Sequence, residues 1–375
     1  MRKWVIVEFA IFFVISLLVF LHLGVGRIKN NPLVKKNKIE NNSEEKREVD
    51  AIKKEEEKKD VELLFGGELI LARMVGLRMD QRGVDYPFDG IRNIFRKADF
   101  SFATLESSFM GEGKVCDPML DCMVFVAKEK YLDGVEATGI DVVSLASNHI
   151  GDGGDEALLR TMNILDERII GYFGAGKDRD EAYKGKVFDV SGTEVGFLGC
   201  CDIPPVSYNA TESNPGSAGC DEIMLLKSLK ELREEADIVV FAPHWGVEYT
   251  SKPTVRETEL AHLMIDGGVD IIIGDHPHWI GNFEVYKGKP IFYSVGNLVF
   301  DQEWSEKTTW GILVRTRYNE RILKGVEVVP FKLHDYCCPE LAEGDKKKEI
   351  MEYFYNNSDK ESVKWLEKMG GKSEI

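Results

Sequence analysis

From residue 61 onwards, the chain alternates short apolar runs with segments of helical periodicity. Consecutive β-branched and aromatic positions, as in 238–242 and 271–273, predict buried strands. Apolar positions spaced three and four residues apart predict helices near 88–97, 128–138, 156–167, 225–235 and 255–266. Because strands alternate with helices, we expect an α/β fold.

Turn signals add hairpins to this pattern. Ser191-Gly192 and Lys287-Gly288 each separate two runs of alternating apolar residues, and a third hairpin is predicted near Asn319. Hairpins pair strands antiparallel, whereas strands joined through helices pair parallel. The sheets are therefore predicted to be mixed.

The polarity pattern also divides the two ends of the chain from its body. Residues 4–21 are almost wholly apolar and, with Val25, are long enough to cross a bilayer, which needs about 20 residues; a cleaved signal peptide is the alternative. The next segment is rich in Lys, Glu and Asn and has too few apolar residues to fold. The predicted boundaries are a transmembrane anchor at 1–26, a charged flexible linker at 27–60, a main domain at 61–340 and a helical tail at 341–375.

Charge and cysteine content narrow the function classes. A net charge of −16 over 375 residues argues against general nucleic-acid binding, because backbone phosphates would be repelled. Basic residues follow the apolar segment, so the positive-inside rule taken alone would keep the body cytoplasmic.

The segment 116–122 contains two of the seven cysteines and predicts a small disulfide loop, although the odd count and two adjacent doublets count against it. No C-x-x-C spacing indicates zinc.

Polar side chains follow three of the predicted strands at their carboxyl ends. His276 and His278 flank a proline after one apolar run, His244 follows a second, and Asn148 and His149 follow a third. In an open α/β sheet, ligands bind in the crevice beyond the carboxyl ends of the strands. Because histidine is the commonest metal ligand, these residues predict a metal site.

Carboxylates occupy similar positions. Glu68 and Glu106 each follow an apolar run and are candidate metal ligands, while Glu248 is a candidate general acid, an orienting residue or an ordinary surface carboxylate. Arg73 and Asn297 are candidate substrate contacts at the same rim.

Structural explanations exist for these residues as well: His149 fits an ordinary rim histidine, and Asn297 fits a tight turn. His276 and His278 would serve in a turn by bonding backbone groups, and Asn148 would cap the following helix. Glu68 fits a glycine turn that leads into a helix, and Glu106 fits a buried carboxylate neutralised by an arginine or a helix N-terminus. The metal hypothesis requires all of them to meet at one centre.

The motifs together resemble the CapA/PgsA family of capsule and poly-γ-glutamate biosynthesis proteins, which is related to calcineurin-like metallophosphoesterases. The matching segments lie in the family's order between Leu63 and Asp301 and read GGELILAR, TLESSF, VVSLASNHIGDGG, GAGKD, HWGVEY, LAHLMIDGGVDIIIGDHPHW and IFYSVGNLVFD. The resemblance implies a four-layer α/β/β/α sandwich with a metal site at the strand ends.

The resemblance also implies residue roles. It makes His149 the proton donor, and it carries metal-ligand roles onto Glu68, Glu106, Asn148, His244, His276 and His278. Two positions depart from the pattern: Glu68 stands where the family has Asp, and Ile70 stands where phosphoesterases have the His of D-x-H.

The leading hypothesis is a membrane-anchored hydrolase or transferase of capsule or poly-γ-glutamate synthesis that uses one or two divalent ions, with Mn, Fe, Zn and Mg all compatible. One alternative is a non-catalytic subunit that binds or exports the anionic polymer through a degenerate metal site, and another is a plain metallophosphoesterase. The resemblance implies that the main domain lies outside the cell membrane and works with other capsule-synthesis subunits.

Overall fold

The computed structural model describes residues 60–112, 123–205 and 208–370. The predicted anchor, nearly all of the predicted linker and the predicted disulfide loop at 116–122 lie outside these ranges. Among the helices of the described ranges, none has both the length and the apolar character needed to cross a bilayer.

Eighteen strands run through the described residues. The first nine are β1 (Val61–Leu69), β2 (Phe100–Leu105), β3 (Ser108–Phe109), β4 (Val126–Ala127), β5 (Val142–Ser144), β6 (Gly171–Phe173), β7 (Ala175–Gly176), β8 (Lys186–Val190) and β9 (Thr193–Cys201). The others are β10 (Gly216–Ser217), β11 (Ile238–His244), β12 (Ile271–Ile273), β13 (Phe283–Tyr286), β14 (Lys289–Phe292), β15 (Asn297–Val299), β16 (Trp310–Asn319), β17 (Ile322–His334) and β18 (Cys338–Leu341).

Nine α-helices and several short 3-10 helices lie between or after these strands within the same ranges. The α-helices are α1 (Arg73–Arg82), α2 (Arg92–Phe95), α3 (Leu132–Thr138), α4 (Gly154–Glu167), α5 (Arg179–Ala182), α6 (Glu222–Glu235), α7 (Val255–Gly267), α8 (Gly344–Asn357) and α9 (Lys360–Lys368). The 3-10 helices include Tyr86–Phe88, Glu129–Tyr131 and Glu306–Thr309.

Most strands belong to two large mixed sheets. The first has the order β18-β17-β16-β1-β2-β5-β6, with β15 also paired to β1; its β1, β2, β5, β6 and β15 are parallel, and β16 to β18 are antiparallel. The second has the order β13-β14-β12-β11-β9-β8, with antiparallel strands at both edges. The prediction of mixed sheets is confirmed.

The two sheets pack face to face, with helices on their outer faces. Phe65 and Phe102 of the first sheet belong to one buried cluster with Phe197 and Val240 of the second, and the Phe102 and Phe197 rings are 6.1 Å apart. Successive side chains of a strand alternate between faces, so Leu64 points into a different cluster, shared with the helices outside the first sheet. A third cluster lies between the second sheet and its helices. The fold is a mixed α/β sandwich.

The predicted turns and longer helices agree with the structure. Ser191 and Gly192 have φ values of 54° and 84°, and Lys287 and Gly288 have 50° and 79°, as two-residue hairpin turns with positive φ require. Helix α7 begins where Thr254 and Glu257 form a capping box.

The predicted helix at 88–97 was mostly wrong, because only the four residues of α2 are α-helical. A Cβ at Gly90 would lie 2.2 Å from the backbone oxygen of Pro339, so this segment is held against β18 rather than continuing as a helix. The predicted helix at 128–138 likewise begins later, at Leu132, after a 3-10 turn.

The described residues of the predicted tail include α8 and α9. Ile350, Met351, Phe354 and Leu366 from these helices are buried and join the cluster between the sheets. Cys200 is bonded to Cys220, and Cys337 is bonded to Cys338.

Candidate metal centre

The carboxyl ends of β1 and β2 bring two glutamates together. Glu68 is the penultimate residue of β1, in register with Thr104 of β2 and Asn297 of β15. The backbone N–H of Glu106, just beyond β2, donates to Leu69 O at 3.0 Å. The alternative of a glycine turn before Glu68 is therefore wrong, because the residue belongs to a central strand.

The second sheet adds His244 from the end of β11. Ligand atoms of Glu68, Glu106 and His244 lie within 4.8 Å of one another, and all three side chains are buried. Parallel strands end at the same edge of a sheet, and the face-to-face packing brings the two edges together. Residues more than 130 positions apart in the chain thus share one small volume.

His244 Nε2 is the focus of several contacts. It lies 2.8 Å from Asn148 Oδ1, 3.2 Å from His276 Nδ1 and 3.7 Å from Glu106 Oε1. A ring nitrogen carries at most one proton, so it cannot form a good hydrogen bond to all three atoms. Each of these atoms has a lone pair that a cation would accept.

The segment that carries His276 and His278 has unusual backbone geometry. Their φ values are 101° and 57°, in a region that non-glycine residues rarely adopt. Hydrogen bonds hold the segment in place: Trp245 N donates to Asp275 O at 3.0 Å, and Tyr249 N donates to Pro277 O at 2.8 Å. Such strain persists only where surrounding contacts enforce it, and it is common at functional sites.

His276 and His278 both turn towards Glu68. The backbone N–H of His276 donates to the Glu68 carboxylate, and His278 Nδ1 forms an ion pair with the same group. His278 Nδ1 also lies 2.9 Å from Asn297 Oδ1, whose amide nitrogen donates to Thr308 O at 3.0 Å. Asn297 therefore positions the His278 ring.

The carboxyl groups of the cluster oppose one another electrostatically. Burial and the charge of Glu68 hold the pKa of Glu106 and of Asp275 well above their usual values. Burial also acts to raise the pKa of Glu68, but His278 and the other two histidines outweigh it and lower that pKa to about 2. The ionised Glu68 therefore makes ionisation of Glu106 and Asp275 less favourable.

The pKa values of the three histidines also shift in different directions. Burial lowers the pKa of His276 to about 4 and holds that of His244 well below its usual value. For His278, burial acts in the same direction, but Glu68 and Glu248 raise the pKa well above normal. His244 and His276 are therefore neutral imidazoles, the form that binds a metal.

The donor set fits a divalent cation. Among the described residues, the buried atoms Glu106 Oε1, Asp275 Oδ1 and His244 Nδ1 have no hydrogen-bond partner. Unpaired buried polar atoms cost free energy, and buried carboxylates in particular need a charge partner. Carboxylate, amide and imidazole donors together suit Mn, Fe, Zn or Mg without distinguishing among them.

His149 lies beside this cluster and has its own orienting partner. Its Nδ1 is 2.9 Å from Asp152 Oδ2, and its ring stacks on Phe125 with 3.9 Å between the ring centres. The same Asp152 oxygen accepts a 2.8 Å hydrogen bond from Phe125 N. An imidazole held in this way has a fixed orientation, as a proton donor requires.

The remaining predicted residues lie at the rim. Glu248 is 41% exposed, and its Oε1 lies 3.8 Å from His278 Nε2. Arg73 makes two hydrogen bonds to Asp301, at 2.7 and 3.0 Å, so its charge is largely neutralised. The structure thus gives Arg73 an internal partner that the sequence did not suggest.

Sequence reasoning missed several residues of the site. Asp275 accepts a 2.6 Å hydrogen bond from Thr104 Oγ1, which joins the two sheets beneath the histidines. Tyr249 stacks on His278 with 5.9 Å between the ring centres. Asp275 directly precedes His276 and Asp152 closely follows His149, so their positions within the motifs were the available signal.

Comparisons with known proteins show which sequences this chain resembles. Residues 62–302 match the profile of a family described as "Bacterial capsule synthesis protein PGA_cap". The capsule biosynthesis protein CapA of Bacillus anthracis is 32% identical over 287 residues, covering 75% of this chain and 70% of the relative. The PGA biosynthesis protein CapA of Bacillus subtilis is 31% identical over 274 residues, covering 72% and 71%.

A solved structure also aligns with part of this chain. NAD nucleotidase from Haemophilus influenzae aligns with a TM-score of 0.45 at 10% identity, covering 83% of this chain and 60% of that one. The profile match spans well over half of the 375 residues, and the two CapA proteins are similar over most of their length. The chain therefore belongs to the PGA_cap family of bacterial capsule synthesis proteins, which includes CapA.

Proposed function

We propose that this protein is a metal-dependent hydrolase or transferase that acts in the synthesis or processing of a capsule or of poly-γ-glutamate. The observation that carries the proposal is the convergence of buried donor atoms from both sheets on His244 Nε2. Membership of the PGA_cap family supplies the biological setting.

The proposed ligands are the six residues that the motifs indicated. They are Glu68, Glu106, Asn148, His244, His276 and His278. A divalent cation held there would polarise the scissile group and lower the pKa of a water molecule towards about 7. Asn297 positions the ligand His278 by contacting its Nδ1. Thr104 fixes Asp275, which directly precedes the ligand His276.

His149 is the proposed proton donor to the leaving group. Asp152 fixes its Nδ1, which leaves Nε2 as the atom that carries the transferred proton. Glu248 is the alternative donor because it is exposed at the rim beside His278.

The proposed setting is the outer face of the cell membrane. An apolar N-terminal segment would anchor the chain, and its charged linker would separate the domain from the bilayer. The relatives are named for capsule and PGA biosynthesis, so the proposed substrate is an anionic polymer such as poly-γ-glutamate, with other synthesis subunits as partners.

One observation favours a second candidate, a non-catalytic subunit that binds or exports the polymer. Ile70 occupies the position of the His in the phosphoesterase D-x-H motif, and it is fully buried in the core of the first sheet. A ligand is therefore missing beside Glu68, and a site with fewer ligands would serve for recognition alone.

Metal analysis of the purified full chain tests the proposal. We expect about one or two divalent ions per chain, and turnover of a γ-glutamyl peptide or a phosphodiester that stops when the ions are chelated. His276→Ala should lower both metal content and turnover, whereas His334→Ala, at an exposed histidine of β17, should change neither. Turnover that survives in metal-free protein would reject the enzymatic scheme, and metal-dependent polymer binding without turnover would favour the second candidate.

A further inference from the structure

The rim beyond His278 carries a cation that has no carboxylate partner within the described part of the chain. Lys307 lies in the 3-10 helix Glu306–Thr309, with its Nζ 4.5 Å from the centre of the Trp279 ring and 5.0 Å from that of Tyr353. No carboxylate oxygen of the described residues lies within 4.0 Å of this Nζ. The aromatic faces stabilise the ammonium group and restrict its position without neutralising its charge.

Neighbouring lysines differ from Lys307 in this respect. Lys346 Nζ pairs with Glu306 at 2.8 Å and with Glu349 at 2.6 Å, and Lys332 Nζ lies 3.7 Å from Glu306. These two lysines and two glutamates balance one another, whereas Lys307 has no such carboxylate partner among the described residues, on a chain of net charge −16. An anionic ligand would be attracted here despite the overall charge.

A continuous set of aromatic rings joins Lys307 to the metal centre. The Tyr249 ring lies 5.9 Å from His278, 6.4 Å from Trp279 and 5.9 Å from Trp304. Trp304 is 61% exposed, which is unusual for a side chain with so much apolar area. Tyr249 and Trp279 therefore link His278 to Lys307, and Trp304 contacts the same Tyr249 ring.

The backbone around Lys307 is fixed relative to the metal centre. The Asn297 side chain contacts His278 Nδ1 through Oδ1 and donates to Thr308 O through Nδ2. Lys307 is therefore next in the chain to a residue that Asn297 connects to His278. Arg73, another cation near the site, is already bound by a carboxylate.

We propose that Tyr249, Trp304 and Lys307 form a substrate subsite that selects a carboxylate-bearing polymer. Lys307 pairs with a free carboxylate on a unit next to the reacting one, and the two rings pack against the apolar part of the chain. This inference rests on the proposed function, because it assumes that the polymer is processed or held at the metal centre.

Selectivity for charge tests the subsite. We expect Lys307→Met to reduce the preference for a poly-γ-glutamate oligomer over the same oligomer with its carboxylates amidated by roughly tenfold, or about 1.4 kcal/mol. The preference would be measured as a ratio of dissociation constants, from quenching of tryptophan fluorescence in the full chain, and as a ratio of kcat/KM where turnover occurs. Lys307→Arg should retain most of the preference.

Lys346→Ala is the matched control, because it removes an equal charge nearby from a lysine that is already neutralised. We expect its effect on the preference to be under about twofold. An unchanged preference in Lys307→Met, or an equal loss in Lys346→Ala, would overturn the subsite. Charge-selective binding through Lys307 without metal-dependent turnover would support the subsite and reject catalysis. Metal-dependent turnover that does not change in the Lys307 variants would support catalysis and reject the subsite.

Discussion

The substitution Glu106→Gln tests whether Glu106 serves as a metal ligand or as a carboxylate that stabilises the fold. In metal-free protein, Glu106 is buried against Glu68, and its Oε1 has no hydrogen-bond partner among the described residues. Glutamine has nearly the same shape and no charge. We therefore expect Glu106→Gln to stabilise the metal-free protein and to weaken metal binding.

The size of the gain follows from the spacing of the two carboxylates. Their ligand oxygens lie within 4.8 Å of each other. Two unit charges at that distance repel by roughly 3.5 kcal/mol in an effective dielectric of about 20. Because Glu106 escapes part of this cost by binding a proton, we expect a gain of about 1–3 kcal/mol, which raises the melting temperature by roughly 2–6 °C in a domain of this size.

The gain should depend on pH. Burial and Glu68 hold the pKa of Glu106 well above its usual value in the folded, metal-free protein. A raised folded pKa favours folding below the unfolded pKa, and that contribution is lost as the pH rises towards the folded value. The advantage of Glu106→Gln should therefore be larger near about pH 7.5 than near about pH 5.

Calorimetry of both proteins in chelator, and again with added Mn, measures these effects. Glu257→Gln is the control, because Glu257 is also buried but its carboxylate accepts a 2.7 Å hydrogen bond from Thr254 N. We expect that control to gain nothing and to keep the metal-induced rise in melting temperature. If Glu106→Gln melts below wild type in chelator, Glu106 already has a favourable partner and the electrostatic reasoning fails.

Two further predictions concern the proton donor and the disulfide. His149→Gln should lower kcat by roughly 10²- to 10⁴-fold. The metal content should stay unchanged, because His149 contacts Asp152 and Phe125 rather than the clustered carboxylates. Asp152→Asn should act in the same direction, and loss of metal from either variant in elemental analysis would contradict this role. Cys200→Ser should lower the free energy of unfolding in urea by about 3 kcal/mol, since the bond to Cys220 closes a loop with a sequence separation of 20, and an unchanged midpoint under oxidising conditions would refute it.

The sequence predicted the strands and their polar ends well because each signal is local. Consecutive apolar residues followed by His244 or by His276 define a strand end without any knowledge of its neighbours. That these ends meet follows from the parallel pairing of strands within each sheet and from the packing of the sheets.

Contacts between distant segments were not accessible in this way. The bond from Thr104 to Asp275 crosses between sheets over 171 residues, and the engagement of Arg73 by Asp301 spans 228. The predicted helix near 88–97 was wrong for a similar reason, because Gly90 packs on a strand from the far end of the chain. Local periodicity carries no information about such pairings.

The division of the donors between the two sheets has a mechanical consequence. Glu68 lies in the first sheet, and Glu106 and Asn148 follow strands of that sheet, whereas His244 lies in the second sheet and His276 follows one of its strands. An ion bound by residues of both sheets would link the two layers of the sandwich. Any movement of one sheet relative to the other would then change the distances between its ligands. The aromatic interior around Phe102 lies between the two sheets, so repacking it would change the spacing of the ligands without replacing any of them.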